Sequence, residues 1–269
     1  MNDWISHPIT QSIIVPFVAA WITTKSLKNL RLSGLAVIAG FCSTVYLIAD
    51  FNFESLSAIR KIILSGLIAT IIGLLLDLTS SNQKFVRYLL AIACCITVLW
   101  MSWPVLQQRE IQEAAIYGIG IVIYMIWVTI LADRLTTKPA RAGSAGMSLG
   151  LGIGVSALLG SSSILGQLGL SIGVACSAYL LAQLTSGKVF SCGRIFTLPL
   201  SVLCGLIMPA TIMLAQTPWY SLPVIAAVPL VAHVPLPSNW SLRKHIIVVA
   251  MLTLIIATST ILITLTQLQ

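Results

Sequence analysis

Charge is scarce in this chain, and its scarcity excludes a soluble globular fold. Of the 269 residues, 8% are charged and 58% are hydrophobic, whereas a soluble domain carries about 25% charged residues. Carboxylates are rarest, with 7 Asp and Glu residues against 15 Lys and Arg residues. A soluble fold of this length could not bury so much apolar surface, so the composition predicts a membrane protein.

Long polar segments are also missing. The longest predicted connections, near 51–61 and 134–144, are too short to form a nucleotide-binding or globular catalytic domain, and no GxxxxGK[ST] segment occurs. Active transport would therefore need an ion gradient or a partner subunit. The net charge of +8 lies in short loops beside apolar segments, where it indicates contact with anionic headgroups and not with nucleic acid.

Motifs for metal binding and covalent catalysis are absent as well. The sequence contains no CxxC or HExxH segment and no paired-aspartate motif for Mg²⁺. The pattern GxSxG occurs at 146–150 and 169–173, but inside predicted helical spans and not at the strand-to-helix turn that a nucleophile elbow requires. Five of the six cysteines fall in predicted spans, where they are expected to be small buried hydrophobes. We expect no metal, no cofactor and no catalytic residues. A membrane enzyme is an open alternative, with its candidate polar groups on the cytoplasmic side: Asp133, Arg194, His233 and His245.

The chain does contain apolar sequence for about ten membrane spans, since a helix needs about 20 mainly apolar residues to cross a bilayer. The expected fold is an all-α, polytopic transmembrane bundle that forms one integral membrane domain over 1–269. Its first span contains Gln11 and Pro16, so a re-entrant first segment, with nine spans in all, is the alternative. The predicted spans are 9–24, 33–50, 62–79, 86–106, 113–132, 145–162, 166–186, 195–215, 218–236 and 246–267.

Basic residues occupy every second gap between these spans. By the positive-inside rule those gaps face the cytoplasm, which predicts an inner-membrane protein with both termini outside. The alternate gaps contain only Arg60, Lys61 and Arg109. The cytoplasmic set is Lys25, Lys28, Arg31, Lys84, Arg87, Arg134, Lys138, Arg141, Lys188, Arg194, Arg243 and Lys244.

Tryptophan positions agree with this orientation. Trp4, Trp103 and Trp219 fall at predicted outer ends and Trp240 falls at an inner end, as interfacial aromatic belts require. Two aromatic residues that lie deeper are interpreted as packing residues: Tyr124 and Trp127.

Ten spans also divide into two halves of five, 1–135 and 142–269. An odd number of spans in each half gives the halves opposite orientations, which is the arrangement of transporters with inverted repeats. The sequence shows no aligned motif between the halves, so the repeat is a prediction from the span count.

Glycine and serine are concentrated in the sixth and seventh spans, since half of the 18 glycines lie between Gly143 and Gly173. Small residues at spacing four let membrane helices approach closely. One interpretation is therefore packing, within the chain or against other membrane subunits, through Gly146, Gly150, Gly154, Gly169 and Gly173. The other is a substrate path that includes Gly152, Ser156, Gly160, Ser161, Ser162, Ser163, Ser177 and His233.

Ionisable residues are expected at the span ends. Asp77 and Asp133 lie at inner ends, where we expect them to pair with Lys84 and Arg134. A proton or sodium carrier usually has a carboxylate near the middle of the membrane. No carboxylate of this chain is predicted there. His233, flanked by prolines, is predicted at the cytoplasmic boundary, with an aqueous vestibule as the alternative.

Together these features favour a small-solute permease or exporter whose path follows the sixth to ninth spans. The alternatives are a non-transporting subunit or assembly factor of a larger membrane complex, and a lipid- or isoprenoid-modifying membrane enzyme.

Overall fold

Every regular element in the described part of the chain is a helix. The computed structural model describes residues 7–27, 32–49, 56–79, 83–215, 217–237 and 239–266, and no strand occurs among them. Trp4, Lys28 and Arg31 lie outside these ranges. The expected all-α class is confirmed for the described residues.

Ten α-helices follow one another in the described ranges. A π-helical turn, Thr10–Ile14, precedes the first of them, and a 3₁₀ turn, Ser33–Leu35, precedes the second. The helices are α1 (Val15–Leu27), α2 (Ala36–Ile48), α3 (Ala58–Leu78), α4 (Gln83–Leu106), α5 (Ile111–Asp133), α6 (Pro139–Leu159), α7 (Ser163–Ser186), α8 (Arg194–Leu214), α9 (Ser221–Val231) and α10 (Leu242–Leu265).

Seven of these helices, α3 to α8 and α10, are long and apolar enough to cross a membrane. The chain is therefore a multi-pass membrane protein. The ninth predicted span is shorter than expected, since only Ser221–Val231 of 218–236 is helical. The cause is local: Pro229 removes a backbone donor from its last turn, and Pro235 and Pro237 follow it.

Local sequence sets several helix ends. The Ser57 hydroxyl accepts a hydrogen bond from the backbone N–H of Arg60 at the start of α3, and Ser241 accepts one from Lys244 at the start of α10, both at 3.4 Å. Pro139 occupies the first turn of α6, where no backbone donor is needed. Gly187 ends α7 with φ 63°, in the left-handed conformation that glycine adopts without a steric penalty.

Helix α8 lies at the centre of the bundle. All its residues from Arg194 to Ile212 are buried, and it contacts α2, α3, α4, α5, α6 and α7. A helix that is apolar all round belongs in a protein interior or a membrane. Pro199 and Pro209 lie inside this helix, and neither has a backbone N–H to donate to the helical hydrogen-bond ladder.

Helix α6 packs closely against α7 through glycine. A methyl group added at Gly150 would lie 2.6 Å from the Cα of Gly173, and one at Gly169 would lie 2.7 Å from the Cα of Gly154. At Gly146 it would lie 2.6 Å from the sulfur of Cys176. These glycines therefore face one another across α6 and α7, and their surfaces are covered within the chain.

The loops that carry most of the basic residues meet at one end of the bundle, here called the basic end. The Ser33 hydroxyl before α2 donates to the Ser191 carbonyl between α7 and α8 at 2.7 Å. The Gly193 N–H donates to the Thr136 carbonyl between α5 and α6 at 3.2 Å. At the opposite end, the ammonium of Lys61 at the start of α3 donates to the Trp100 carbonyl of α4 at 2.9 Å.

The outer surface of the bundle is apolar over much of its height. Helices α3, α4, α5 and α10 expose large aliphatic and aromatic side chains. A soluble monomer rarely exposes so large an apolar surface, so these faces contact the lipid bilayer. The exposed side chains include Ile71, Leu75, Phe85, Ile92, Ile96, Ile116, Ile123, Ile255 and Leu262.

Candidate functional site

The second small-residue face of α6, which contains Gly152 and Ser156, packs against α9 and α10. A methyl group added at Gly152 would lie 2.8 Å from Cδ1 of Ile225 and 3.2 Å from Cβ of Ala257. One turn away, Ser148 donates a hydrogen bond to the Thr253 hydroxyl at 2.8 Å. Ser156 is fully buried, and its hydroxyl has no hydrogen-bond partner among the described residues.

The turn between α6 and α7 contains three of the predicted path residues, and a fourth, Ser163, is the first residue of α7. A methyl group at Gly160 would contact the Ala215 carbonyl and the Thr217 hydroxyl, so this turn touches the end of α8. Ser161 has φ 73°, a left-handed conformation that is uncommon for a residue other than glycine. Ser162 precedes α7 without a side-chain cap, and Ser163 is exposed.

Ser177 and His233, the remaining predicted path residues, are engaged locally. The Ser177 hydroxyl donates to the Gly173 carbonyl of its own helix at 2.8 Å. His233 lies in the turn after α9, where its Nδ1 is 2.7 Å from the Pro229 carbonyl oxygen. Since a carbonyl only accepts, Nδ1 carries the proton of the neutral ring, and Nε2 is the acceptor.

A cavity of about 580 Å³ lies between α5, α9 and the end of α8, and none of the predicted path residues lines it. Tyr124 and Trp127, which the sequence interpretation treated as packing residues, form part of its wall. The useful signal was the aromatic side chains of α5, because Tyr117, Tyr124 and Trp127 recur at intervals of about two turns and one turn, on one face of the helix. The lining residues are Ile116, Tyr117, Gly120, Ile121, Ile123, Tyr124, Trp127, Ile212, Trp219, Leu222, Pro223, Ala226, Ala227 and Leu230.

This cavity is apolar and opens sideways to the lipid-facing surface. The Trp127 Nε1–H donates to the Ala226 carbonyl at 2.9 Å, and the Tyr124 hydroxyl donates to the Cys204 carbonyl at 3.4 Å. Both polar groups are thus already paired with protein. Exposed Ile123 and Trp219 stand at the rim, so a molecule could enter from the bilayer.

Asp133 joins three helices in a partly buried ion-pair cluster at the basic end. Its Oδ2 lies 2.7 Å from Nε of Arg87, and its Oδ1 lies 2.9 Å from Nε of Arg194. The expected pairing with Arg134 is wrong, because that side chain is exposed and outside ion-pair distance in the described structure. The prediction paired Asp133 with the next residue in the sequence, whereas its actual partners come from α4 and α8.

Asp77, at the end of α3, caps the start of α8. Its two carboxylate oxygens accept hydrogen bonds from the backbone N–H groups of Arg194 at 2.8 Å and Ile195 at 2.9 Å. A negative group at a helix N-terminus satisfies donors that have no partner within the helix. Gly193, with φ 68°, leaves no room for a side chain beside this carboxylate.

Positive charge surrounds the turn after α9. The Arg141 Nη1 donates to the Ala232 carbonyl at 3.3 Å, which connects the start of α6 to this turn. Burial lowers the pKa of His233 below its ordinary value of 6.5, and the positive charges of Lys138, Arg134 and Arg141 lower it further, against the hydrogen bond to Pro229. His233 is therefore a neutral imidazole at pH 7.

No group of three His, Cys, Asp or Glu side chains in the described structure could hold a metal ion. Two arrangements of residues are therefore candidates for a functional site: the apolar cavity and the charged residues at the basic end. In comparisons with known proteins, no family model matches the chain and no curated protein matches its sequence.

Proposed function

We propose that the protein is a permease or exporter for small apolar or amphiphilic molecules, which enter the cavity between α5 and α9 from the bilayer. The observation that carries the proposal is that α9, a short helix with prolines, forms one wall of this cavity. Its 11 residues extend about 16 Å, against a hydrocarbon core about 30 Å thick. Short and interrupted helices at membrane depth are typical of substrate sites in transporters.

Helix α9 also separates the cavity from the Gly/Ser face of α6. Its Ile225 packs on Gly152, whereas Ala226 and Leu222 line the cavity. An outward movement of α9 would join the cavity to Gly152 and to Ser156, whose buried hydroxyl is free to bind a solute. The proposed path therefore runs between α5, α6, α8 and α9.

Helix contacts support a repeat of five plus five spans within one membrane domain. If 1–135 and 142–269 are equivalent halves, α2 corresponds to α7 and α3 to α8, and both of these pairs are in contact. The hairpins α4–α5 and α9–α10 also correspond, and each is internally packed. The strong contact of α6 with α10 has no comparable counterpart between α1 and α5 in the described ranges, so the repeat would be asymmetric.

Transport in proteoliposomes tests the proposal. The vesicles would contain purified protein, with ethidium and a dansylated fatty acid as probes of cationic and anionic amphiphile movement. We expect uptake of at least one probe above that of protein-free vesicles. We expect Gly120→Phe, which fills the cavity, to abolish this uptake, and Ser156→Leu to reduce it.

The matched control is Gly118→Phe. Gly118 lies in the same helix but does not line this cavity, and a methyl group there meets only Leu106 Cδ1, at 3.9 Å. Protein recovery and size-exclusion profiles would establish that all variants remain folded. Equal uptake by the Gly120 variant and the wild type, or no uptake of either probe by the wild type, would overturn the proposal.

A further inference from the structure

The apolar cavity between α5 and α9 ends close to the cationic residues at the basic end. Leu230, which lines the cavity, lies less than one helical turn before His233. On the facing helix, Trp127 lines the cavity and Arg134 follows the last turn of α5. An elongated molecule in the cavity would thus have its apolar part between the helices and its end near positive charge.

Three basic side chains, Arg134, Lys138 and Arg141, lie close enough to His233 at this end of α9 to act on its charge. Arg134 and Lys138 are exposed in the short connection between α5 and α6. Arg141 is half-buried and bonds the turn after α9 through the Ala232 carbonyl, at 3.3 Å. The α5–α6 connection is therefore held beside the end of α9.

The nearby carboxylate does not neutralise these cations. Both oxygens of Asp133 are taken by Arg87 and Arg194, and no ion pair joins Arg134 or Lys138 to a carboxylate within the described ranges. Unneutralised positive charge at a membrane surface attracts anionic headgroups.

The imidazole of His233 has an acceptor nitrogen that a bound molecule would need to match with a hydrogen-bond donor. With Nδ1 directed to the Pro229 carbonyl, its Nε2 is an acceptor that is buried and lacks a partner in the described structure. A hydroxyl group in a lipid headgroup could supply the missing donor. Phosphatidylglycerol combines that hydroxyl with an anionic phosphate.

We infer that the groove between α5 and α9 binds an anionic phospholipid, phosphatidylglycerol, from the leaflet at the basic end. Its phosphate lies near Arg134 and Lys138, its glycerol hydroxyl faces His233, and one acyl chain occupies the cavity. The volume of about 580 Å³ is within the range of small-molecule sites. The inference rests on the proposed function only for the idea that the bound molecule is also moved, because binding itself requires no transport.

Lipid competition in nanodiscs tests the inference. Full-length protein would be reconstituted with equal amounts of dioleoylphosphatidylglycerol and dioleoylphosphatidylcholine, and the retained lipid would be measured by native mass spectrometry. We expect preferential retention of phosphatidylglycerol. The double variant R134Q/K138Q should weaken this preference about thirtyfold, since each basic residue near an anionic surface contributes about fivefold.

The control double variant is R243Q/K244Q, which removes the same charge from exposed residues at the start of α10. It should retain most of the preference. Equal loss in the two double variants would indicate general surface attraction and overturn the inference, as would equal retention of both lipids by the wild type. A second variant, Gly120→Phe, should reduce lipid retention by blocking the acyl chain, and unchanged retention would also overturn it.

The same preparation distinguishes failure of this inference from failure of the proposed function. Preferential lipid binding without uptake of ethidium or the dansylated fatty acid would support the lipid site and contradict the proposed permease function. Uptake without lipid preference would support the permease function and contradict the lipid site.

Discussion

The guanidinium of Arg194 lies 2.9 Å from Oδ1 of Asp133, and both side chains are almost inaccessible to solvent. Because Arg87 takes the other oxygen of the carboxylate, one aspartate connects α4, α5 and α8. The central helix is therefore anchored at the basic end by an ionic contact that its apolar sequence does not suggest.

Substitution of Asp133 by asparagine should destabilise the protein strongly. It would leave Arg87 and Arg194 without their counter-ion, and removal of one partner of a buried ion pair costs roughly 3 kcal/mol or more. Thermal unfolding in detergent measures the effect. The control is Glu113→Gln, which removes an exposed pair with Arg109 and should cost less than about 1 kcal/mol. Equal effects of the two substitutions would contradict this account.

The cap that Asp77 provides for α8 predicts that substitutions of this residue lower the stability of the protein by graded amounts. Asp77→Ala removes both acceptors and should cost about 1–2 kcal/mol, in the range of helix caps. Asp77→Asn retains one acceptor and should cost less. Gly193→Ala should also destabilise, because its φ of 68° and the nearby carboxylate both oppose a side chain. If Asp77→Ala unfolded at the wild-type temperature, the cap would have no energetic role.

Helix positions could be predicted because apolar composition and bilayer thickness are properties of local sequence. The predicted spans 86–106 and 113–132, for example, fall within α4 and α5. The ninth span was overextended, since hydropathy continues through VPLVAHVPLP although Pro229 and Pro235 end the helix. Residue periodicity also placed Gly150 and Gly154 on one ridge of α6.

The cavity and the partners of Asp133 could not be predicted in the same way. Arg87 and Arg194 are 46 and 61 residues from Asp133 in the sequence, and only the packing of α4, α5 and α8 brings them together. The cavity depends on the spacing of α5 and α9, which apolar side chains do not encode in any short motif. Local patterns identify faces, but tertiary packing decides which face meets which.

Close approach of α6 and α7 predicts that even a methyl group is harmful at their interface. Gly150→Ala should cost roughly 1–3 kcal/mol, the usual range for overpacking, because the neighbour is the backbone of Gly173 and not a movable side chain. Gly120→Ala is the matched control, since a methyl group there meets nothing within 4 Å. The difference between their unfolding temperatures in detergent is the measurement. Equal stability of the Gly150→Ala and Gly120→Ala variants would refute the close contact.

The predicted orientation can be checked by cysteine labelling in spheroplasts. A cysteine introduced at Ile5 should react with a membrane-impermeant maleimide from outside, and one at Lys138 should react only after the membrane is permeabilised. The unsubstituted chain provides the background from its six native cysteines. Labelling of position 138 from outside would reverse the assignment of the basic end to the cytoplasm.

His233 predicts a loss of stability on acidification. Burial keeps the pKa of this imidazole below 6.5 in the folded protein, so the unfolded chain binds the proton more readily and stability falls as the pH decreases from about 6.5. The loss should level off below the folded-state pKa. Unfolding temperatures at pH 7.5 and pH 5 should therefore differ more for the wild type than for His233→Gln. Identical pH dependence in the wild type and the variant would show that His233 does not titrate between these pH values.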